Sequence, residues 1–301
     1  MQLFGKTNFD FLSKRKLFLI LSIVVGIVGV SLTAILGLDY GIDFEGGTEL
    51  AVSFEKPIET DRIRDAVQSL GIEGAEIKSF GENNQYIIRI KQSANTPKEV
   101  GEAIDKSIPE IKMTVLKMDQ IGPKVGSELR MQAILAIVIS LAALLIYIAF
   151  RFEFVFGLGA VIAILHDIVI TFSAALIIHE TGLVNMEINQ SFLAAMLTVI
   201  GYSINNTVII FDRIRENSES MKGKHMLDIA NLSINETLSR TIITVVTVLI
   251  VLLILIFFGG PVLKPFAVIM TLGTIFGVYS SIYISSSFVV WFLERKALKT
   301  K

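Results

Sequence analysis

The chain has 301 residues, of which 52% are hydrophobic and 18% charged, with a formal net charge of -1 and no cysteine. A mean hydropathy of +0.66 excludes an ordinary water-soluble domain and indicates an integral membrane protein. The near-neutral charge points to no nucleic-acid or acidic-surface partner, and the missing cysteines exclude disulfides, thiol catalysis and thiolate metal sites.

Lys6, Lys14, Arg15 and Lys16 precede an unbroken apolar run over residues 17–38. The charge order is that of a secretory signal, but the apolar core is about twice too long for one, so a retained anchor helix with a cytoplasmic positive flank is predicted. From Asp39 to about Glu128 charges and turn residues are frequent and no segment is long enough to cross a bilayer. Residues 48–54, 75–80, 86–90 and 112–118 read as strands, with a turn at Gly81, Glu82, Asn83 and Asn84. Residues 60–70 read as a helix capped by Thr60 and stopped by Gly71, and a second helix starts at Pro97 behind the cap Thr96. The order βαββαβ predicts a ferredoxin-like α+β sandwich, a fold that fixes no particular chemistry.

Five further apolar segments, 131–150, 154–178, 188–211, 241–258 and 266–293, are each long enough to span. The expected architecture is an α-helical polytopic membrane protein of six transmembrane helices, with the α+β domain between the first and second. It divides as 1–38, 39–128, 129–293 and a tail 294–301. The inner turns carry Arg151, Arg213, Arg215, Lys222, Lys224 and Arg240, and the tail adds Arg295, Lys296, Lys299 and Lys301. The two short outer turns carry only Lys264. This bias predicts cytoplasmic termini and an extracytoplasmic α+β domain.

Polar residues inside such spans are expensive and mark ion paths or helix contacts. His166 and Asp167 sit near the middle of the third span. A histidine beside a carboxylate suits a proton path, although successive helical residues point about 100° apart and need not pair with each other. The alternative is that they satisfy polar groups on neighbouring helices. Asn205 and Asn206 near the polar end of the fourth span carry the same two readings. Arg240 at the start of the fifth either faces the bundle, pairing with a carboxylate or with those amides, or leans to the interface. Asp212 and Arg213 read as orienting residues at the membrane edge. The run Gly41 to Thr48, with Asp43, Gly46 and Gly47, reads as a tight glycine junction, and it lacks the lysine and following helix of a phosphate-binding loop. Small residues in the last span, Gly273, Gly277, Ser280, Ser281, Ser285, Ser286 and Ser287, suit close helix packing.

DYGIDFEGGTEL after the first span, GPKVGSEL before the second, HD in the third, GYSINNTVIIFDRIREN in the fourth and SINETLSRTIIT into the fifth closely resemble the SecD/SecF family of bacterial protein-export membrane proteins, on its SecF side. The resemblance runs from the amino-terminal LFGKTNFDFLSKRK to GVYSSIYIS, essentially the whole chain. It implies a non-enzymatic, multi-pass subunit of the bacterial inner membrane that works with SecD beside the SecYEG channel, with YajC and YidC as further associates. The substrates it implies are exported polypeptides. No cofactor is implied; the driving force is a proton gradient, with sodium as the other ion, as in the resistance-nodulation-division transporters. The family's intramembrane arginine falls on Arg240, and its Asn-Asp pair falls on Asn205 and Asn206. The acidic position is therefore an amide here, which cannot take up and release a proton. The titrating carboxylate would then belong mainly to SecD, with Asn206 and Arg240 tuning it, or to Asp167. Asp43, Gly46, Gly47, Asp212, Arg213 and Glu236 complete the motif positions. Two rival readings are a self-contained ion-coupled transporter of small molecules and a purely structural stabiliser of SecD and the channel.

Overall fold

The computed structural model describes residues 7–72, 75–79, 84–90 and 96–299. The expected turn residues Gly81 to Asn83, and the charges Lys6 and Lys301, lie outside the described residues. Among the described residues, six helical stretches have the length and apolarity to cross a membrane.

The first is α1 (Arg15–Leu36). A linker with the one-turn helix α2 (Ile42–Glu45) leads into the α+β domain. Its elements are β1 (Gly47–Phe54), α3 (Thr60–Gln68), β2 (Glu76–Ser79), β3 (Gln85–Ile90), α4 (Pro97–Ser107) and β4 (Met113–Ile121). The sheet is antiparallel throughout with order β2-β3-β1-β4, the ferredoxin-like arrangement expected from βαββαβ. Strand alternation makes the core: Leu50, Val52 and Phe54 of β1 and Tyr86, Ile88 and Ile90 of β3 turn one way. There they pack on Ile63, Ala66 and Val67 of α3 and Val100 and Ile104 of α4. The intervening Glu49, Ala51, Ile87 and Arg89 fall on the opposite face. Thr96 and Glu99 form a reciprocal capping box ahead of Pro97. Thr60 is not the cap of α3. Glu59 holds that position, with no side-chain hydrogen bond, and Thr60 is already helical.

The membrane part continues with α5 (Pro123–Arg151), α6 (Phe154–Glu180), α7 (Gln190–Ser220) and α8 (Met226–Phe258). The last crossing is α9 (Gly260–Ser280), a π-helical turn (Ser281–Ser285) and α10 (Ser286–Lys299). α5 starts at Pro123, eight residues before the apolar run at 131, because Gly122 sits at the cap and Pro123 supplies a first helical position. α7 and α8 are 31 and 33 residues long, well over the roughly 20 needed to span. Their surplus turns run on together at the end bearing the chain termini. There Arg213 meets Glu236 at 2.6 Å, and the Asn217 amide donates to Ser233 at 2.9 Å and to Glu236 at 2.7 Å.

α7 and α9 lie side by side and parallel. A Cβ at Gly273 would fall inside the Val199 side chain, and one at Gly277 would sit 3.1 Å from Ser203 Cβ. One turn further on, the hydroxyls of Thr207 and Ser281 share a hydrogen bond of 2.8 Å. The small residues of the last crossing thus permit the close approach for which their size suits them.

Candidate functional site: a buried polar seam in the bundle

Asp167 stands at the middle of the 27-residue α6 and is 1% exposed. Its Oδ2 accepts from Ser203 Oγ of α7 at 2.5 Å and from Ser280 Oγ of α9 at 2.7 Å. Its Oδ1 lies 3.0 Å from His166 Nδ1. The adjacent pair does meet, although successive helical residues point about 100° apart. The His166 ring in turn stacks on Tyr279 at 5.8 Å. The Tyr279 hydroxyl donates to Phe18 O at 2.9 Å and shares a 2.8 Å bond with Ser22 of α1. One connected polar seam therefore joins α1, α6, α7 and α9.

The π-helical turn borders this seam. Extra residues in such a turn disturb the i→i−4 ladder, and these turns concentrate at functional sites. Here the hydroxyls of Ser285 and Ser286 both donate to Ser281 O, at 2.9 and 2.8 Å. Ser280, Ser281, Ser285, Ser286 and Ser287 are all buried, so the last crossing is lined with hydroxyls where a lipid-facing helix would carry leucine.

Asn206, one turn beyond Ser203, is fully buried, and neither its Oδ1 nor its Nδ2 has a partner among the described residues. Asn205 and Arg240 point out of the bundle and are exposed. Of the two orientations expected of Arg240, the chain takes the outward one, and among the described residues Arg240 pairs neither with the fourth-span amides nor with Asp167. The contacts of Arg213 with Glu236 and of Asn217 with Ser233 fix the antiparallel register of α7 and α8. That register brings Arg240 opposite Ile209 and Ile210, about one helical turn from Asn206 along the axis.

The motif residues at the two ends have structural places. Asp212 accepts from Arg151 at 2.9 Å, and Arg213 bridges Glu216 and Glu236, each at 2.6 Å. Asp43 Oδ2 accepts from the Gln190 amide at 2.8 Å, capping α7 from the linker. Gly46 and Gly47 have φ of +77° and +134°. A Cβ on Gly46 would lie 2.8 Å from Pro123 Cα, and one on Gly126 would lie 2.9 Å from Gly46 N, so the linker lies backbone to backbone on the start of α5.

Two sets of residues carry more than their sequence context suggested. Asn235 of the SINET segment accepts from the Phe9 amide and donates to the Phe9 carbonyl, both at 2.8 Å. Asn231, one turn earlier, accepts from the Phe11 amide at 2.8 Å. Together they hold the N-terminal segment along α8, with Leu12 inserted into the core. The spacing of two asparagines four apart was the available signal. Arg89 and Glu187, each 3% exposed, form an ion pair between the sheet and the α6–α7 loop. Nothing local in either segment marks it.

Residues 100–295 match the family model for the C-terminal region of the protein export membrane proteins SecD/SecF, and residues 32–58 match the SecD/SecF GG motif. The protein translocase subunit SecF of Calditerrivibrio nitroreducens is 40% identical over 290 residues, covering 94% of this chain and 93% of that protein. That of Thermodesulfovibrio yellowstonii is 36% identical, covering 99% of each. Among solved structures, a Thermus SecDF, a translocon-associated membrane protein, superposes with a TM-score of 0.84 at 32% identity. It covers 96% of this chain, whereas this chain spans only 39% of that one. A SecDF in a super-membrane-facing form gives a TM-score of 0.72 at 32% identity, over all of this chain and 41% of that one. With a family model over more than half its length and full-length relatives at this identity, the chain belongs to the SecD/SecF family of protein export membrane proteins.

Proposed function

We propose that the chain is the SecF-type subunit of a protein-export translocase, acting with a SecD-type subunit beside a SecYEG channel to couple an ion gradient to the movement of exported polypeptide. YajC and YidC are further associates on this reading. The α+β domain faces away from the cytoplasm and both termini face it, as the arginine and lysine bias of the short turns favours. The chain performs no covalent chemistry of its own and carries no cofactor.

The observation that carries the reading is Asp167. It is the one buried carboxylate among the described residues of the membrane helices, and its partners are two hydroxyls and an imidazole. A carboxylate hydrogen-bonded to a histidine can pass a proton within the pair, and intramembrane acids of this kind mark proton relays. Sodium is the rival ion, with the Asp167 carboxylate and the Ser203 and Ser280 hydroxyl oxygens beside it as the ligands it would use. One charge crossing 100 mV supplies about 2.3 kcal/mol. The Asn206 amide neither takes up nor releases a proton. A bare guanidinium facing lipid is costly, so the face carrying Arg240 and Asn205 suits a partner helix, and a SecD-type carboxylate opposite Arg240 is the chemistry that fits it.

A self-contained small-molecule transporter fits less well. Two cavities of about 630 and 690 Å³ lie between the sheet and the helix ends, and Asp167 lines neither. The deciding experiment is export of a secretory protein into inverted vesicles holding both subunits, with a proton gradient, a sodium gradient or none. Asp167→Asn and Arg240→Gln are each expected to remove the gradient-dependent share while the subunits stay associated. Full gradient-dependent export in both variants would leave a scaffold role instead.

A further inference from the structure

α6 and α7 carry Asp167, Ser203 and Asn206 near mid-length, and they meet at one loop, residues 181–189. That loop lies against the face of the sheet not covered by α3 and α4. Strand alternation puts Arg89 of β3 on this face, and the register places it directly opposite Glu49 of β1 on one side and Glu76 of β2 on the other. Glu49 in turn stands opposite Asp119 of β4. One rung of charged residues thus crosses all four strands. Arg89 reaches Glu49 at 3.2 Å, Glu76 at 3.5 Å and Asp39 of the linker at 3.8 Å. Lys117 adds contacts to Glu49 at 3.0 Å and Asp119 at 2.7 Å.

Within the rung the Arg89 charge is already balanced, yet the loop contributes Glu187, whose Oε2 meets the same guanidinium. The other Glu187 oxygen has no partner among the described residues, so Arg89 is the contact that accounts for an acid buried there. The remaining ties at this joint hold the linker and not the sheet. Ile188 N donates to Asp39 O at 2.9 Å and Gly41 N to Ile188 O at 3.0 Å. His179 Nε2, in the last turn of α6, lies 3.3 Å from Asp39, and Asp43 caps α7. Arg89 with Glu187 is therefore the ion pair that runs directly from the sheet to the loop, among the described residues.

Buried ion pairs add little net stability compared with apolar packing, but their geometry is narrowly fixed. We propose that Arg89 and Glu187 form a strut that carries displacement of α6 and α7 into the α+β domain. Glu187 is then a positioning residue for the coupling step, touching neither ion nor polypeptide. The inference rests on the gradient-coupled function proposed above.

The test uses the assembled complex in vesicles, with Glu187→Gln and Glu187→Ala, and spin labels on Lys56→Cys in the domain and Leu183→Cys in the loop, in a chain that has no other cysteine. In the unsubstituted strut the label separation should be narrow and the same with and without a gradient. Both Glu187 variants should broaden it and reduce the gradient-dependent share of export about fivefold or more, with gradient-independent export and subunit association unchanged. Undiminished gradient-dependent export in the variants, or a label separation that changes with the gradient when Glu187 is present, overturns the strut. A parent complex with no gradient-dependent export at all overturns the proposed function itself, which is a distinct result.

Discussion

Two acids in this molecule are almost equally hidden, Asp167 in the bundle at 1% exposure and Glu187 at the sheet at 3%, and they are held in opposite ways. Glu187 faces a guanidinium that is itself buried in a rung of charged residues. Asp167 meets Ser203, Ser280 and His166, and among the described residues no arginine or lysine lies within ion-pair distance of it. A charge answered by another charge is fixed in place, because losing either leaves the other stranded in a poor solvent. A carboxylate held by neutral donors can gain or lose its charge without stranding anything. The difference separates a fastening from a group that can change state.

The sharpest way to break that contrast is to remove the rung's cation. Arg89→Leu leaves Glu187 without a partner and Glu49 with Lys117 alone, and should destabilise the α+β domain by about 3–5 kcal/mol. Urea or thermal unfolding of the purified protein in detergent, followed by loss of the sheet signal, measures it. An effect near zero would mean that water reaches Glu187 and that the rung is not a closed network.

Asp167→Asn should behave otherwise. The amide oxygen can still accept from Ser203 and Ser280, and no opposing charge is exposed, so a stability change below about 1.5 kcal/mol is expected in the same unfolding measurement. Equal losses for Asp167→Asn and Arg89→Leu would make Asp167 a structural charge and erase the contrast.

How much of this could be read from the sequence depends on the range of the interaction. Six apolar runs and the βαββαβ order are set by local hydropathy and alternation, and the capping box at Thr96 by two residues three apart, so all were legible. The extra turns of α7 and α8 were not, because charged residues such as Arg213 and Glu236 end an apolar window although the helix continues through them. Asp167 stood out as an acid in an apolar run. Its donors did not, since Ser203 and Ser280 are 36 and 113 residues away, and a serine in a membrane helix more often bonds its own backbone, as Ser173 does to Val169. Arg89 was hidden more completely. In an alternating strand it reads as an exposed polar residue, and only the packing of loop 181–189 on that face buries it.

The smallest effect lies at the edge of the rung, in its dependence on pH. The Asp39 carboxyl is held well below the ordinary carboxylate range by the hydrogen bond from His179, which together with Lys78 and the Arg89 charge outweighs partial burial. A depressed carboxyl stabilises the fold above its unfolded value of about 3.9, and that contribution is lost as pH falls below it. Lys78 and Lys117 lie on the other limb. Burial opposes their charge, but Asp39 and Glu76 for the first, and Glu49 and Asp119 for the second, raise them above the ordinary lysine value. Their contribution is present below about 10.4 and disappears as pH rises through the raised values. Stability of the α+β domain should therefore be level between these limits and fall on both sides, gently, because Asp39 and Lys78 are partly exposed and screened by solvent. Melting profiles across pH check this, and Asp39→Asn should flatten the acid limb and, by taking one of its two carboxylates from Lys78, soften the basic limb as well. An acid limb unchanged by that substitution would remove Asp39 as its source and break the link between the linker and the joint's pH sensitivity.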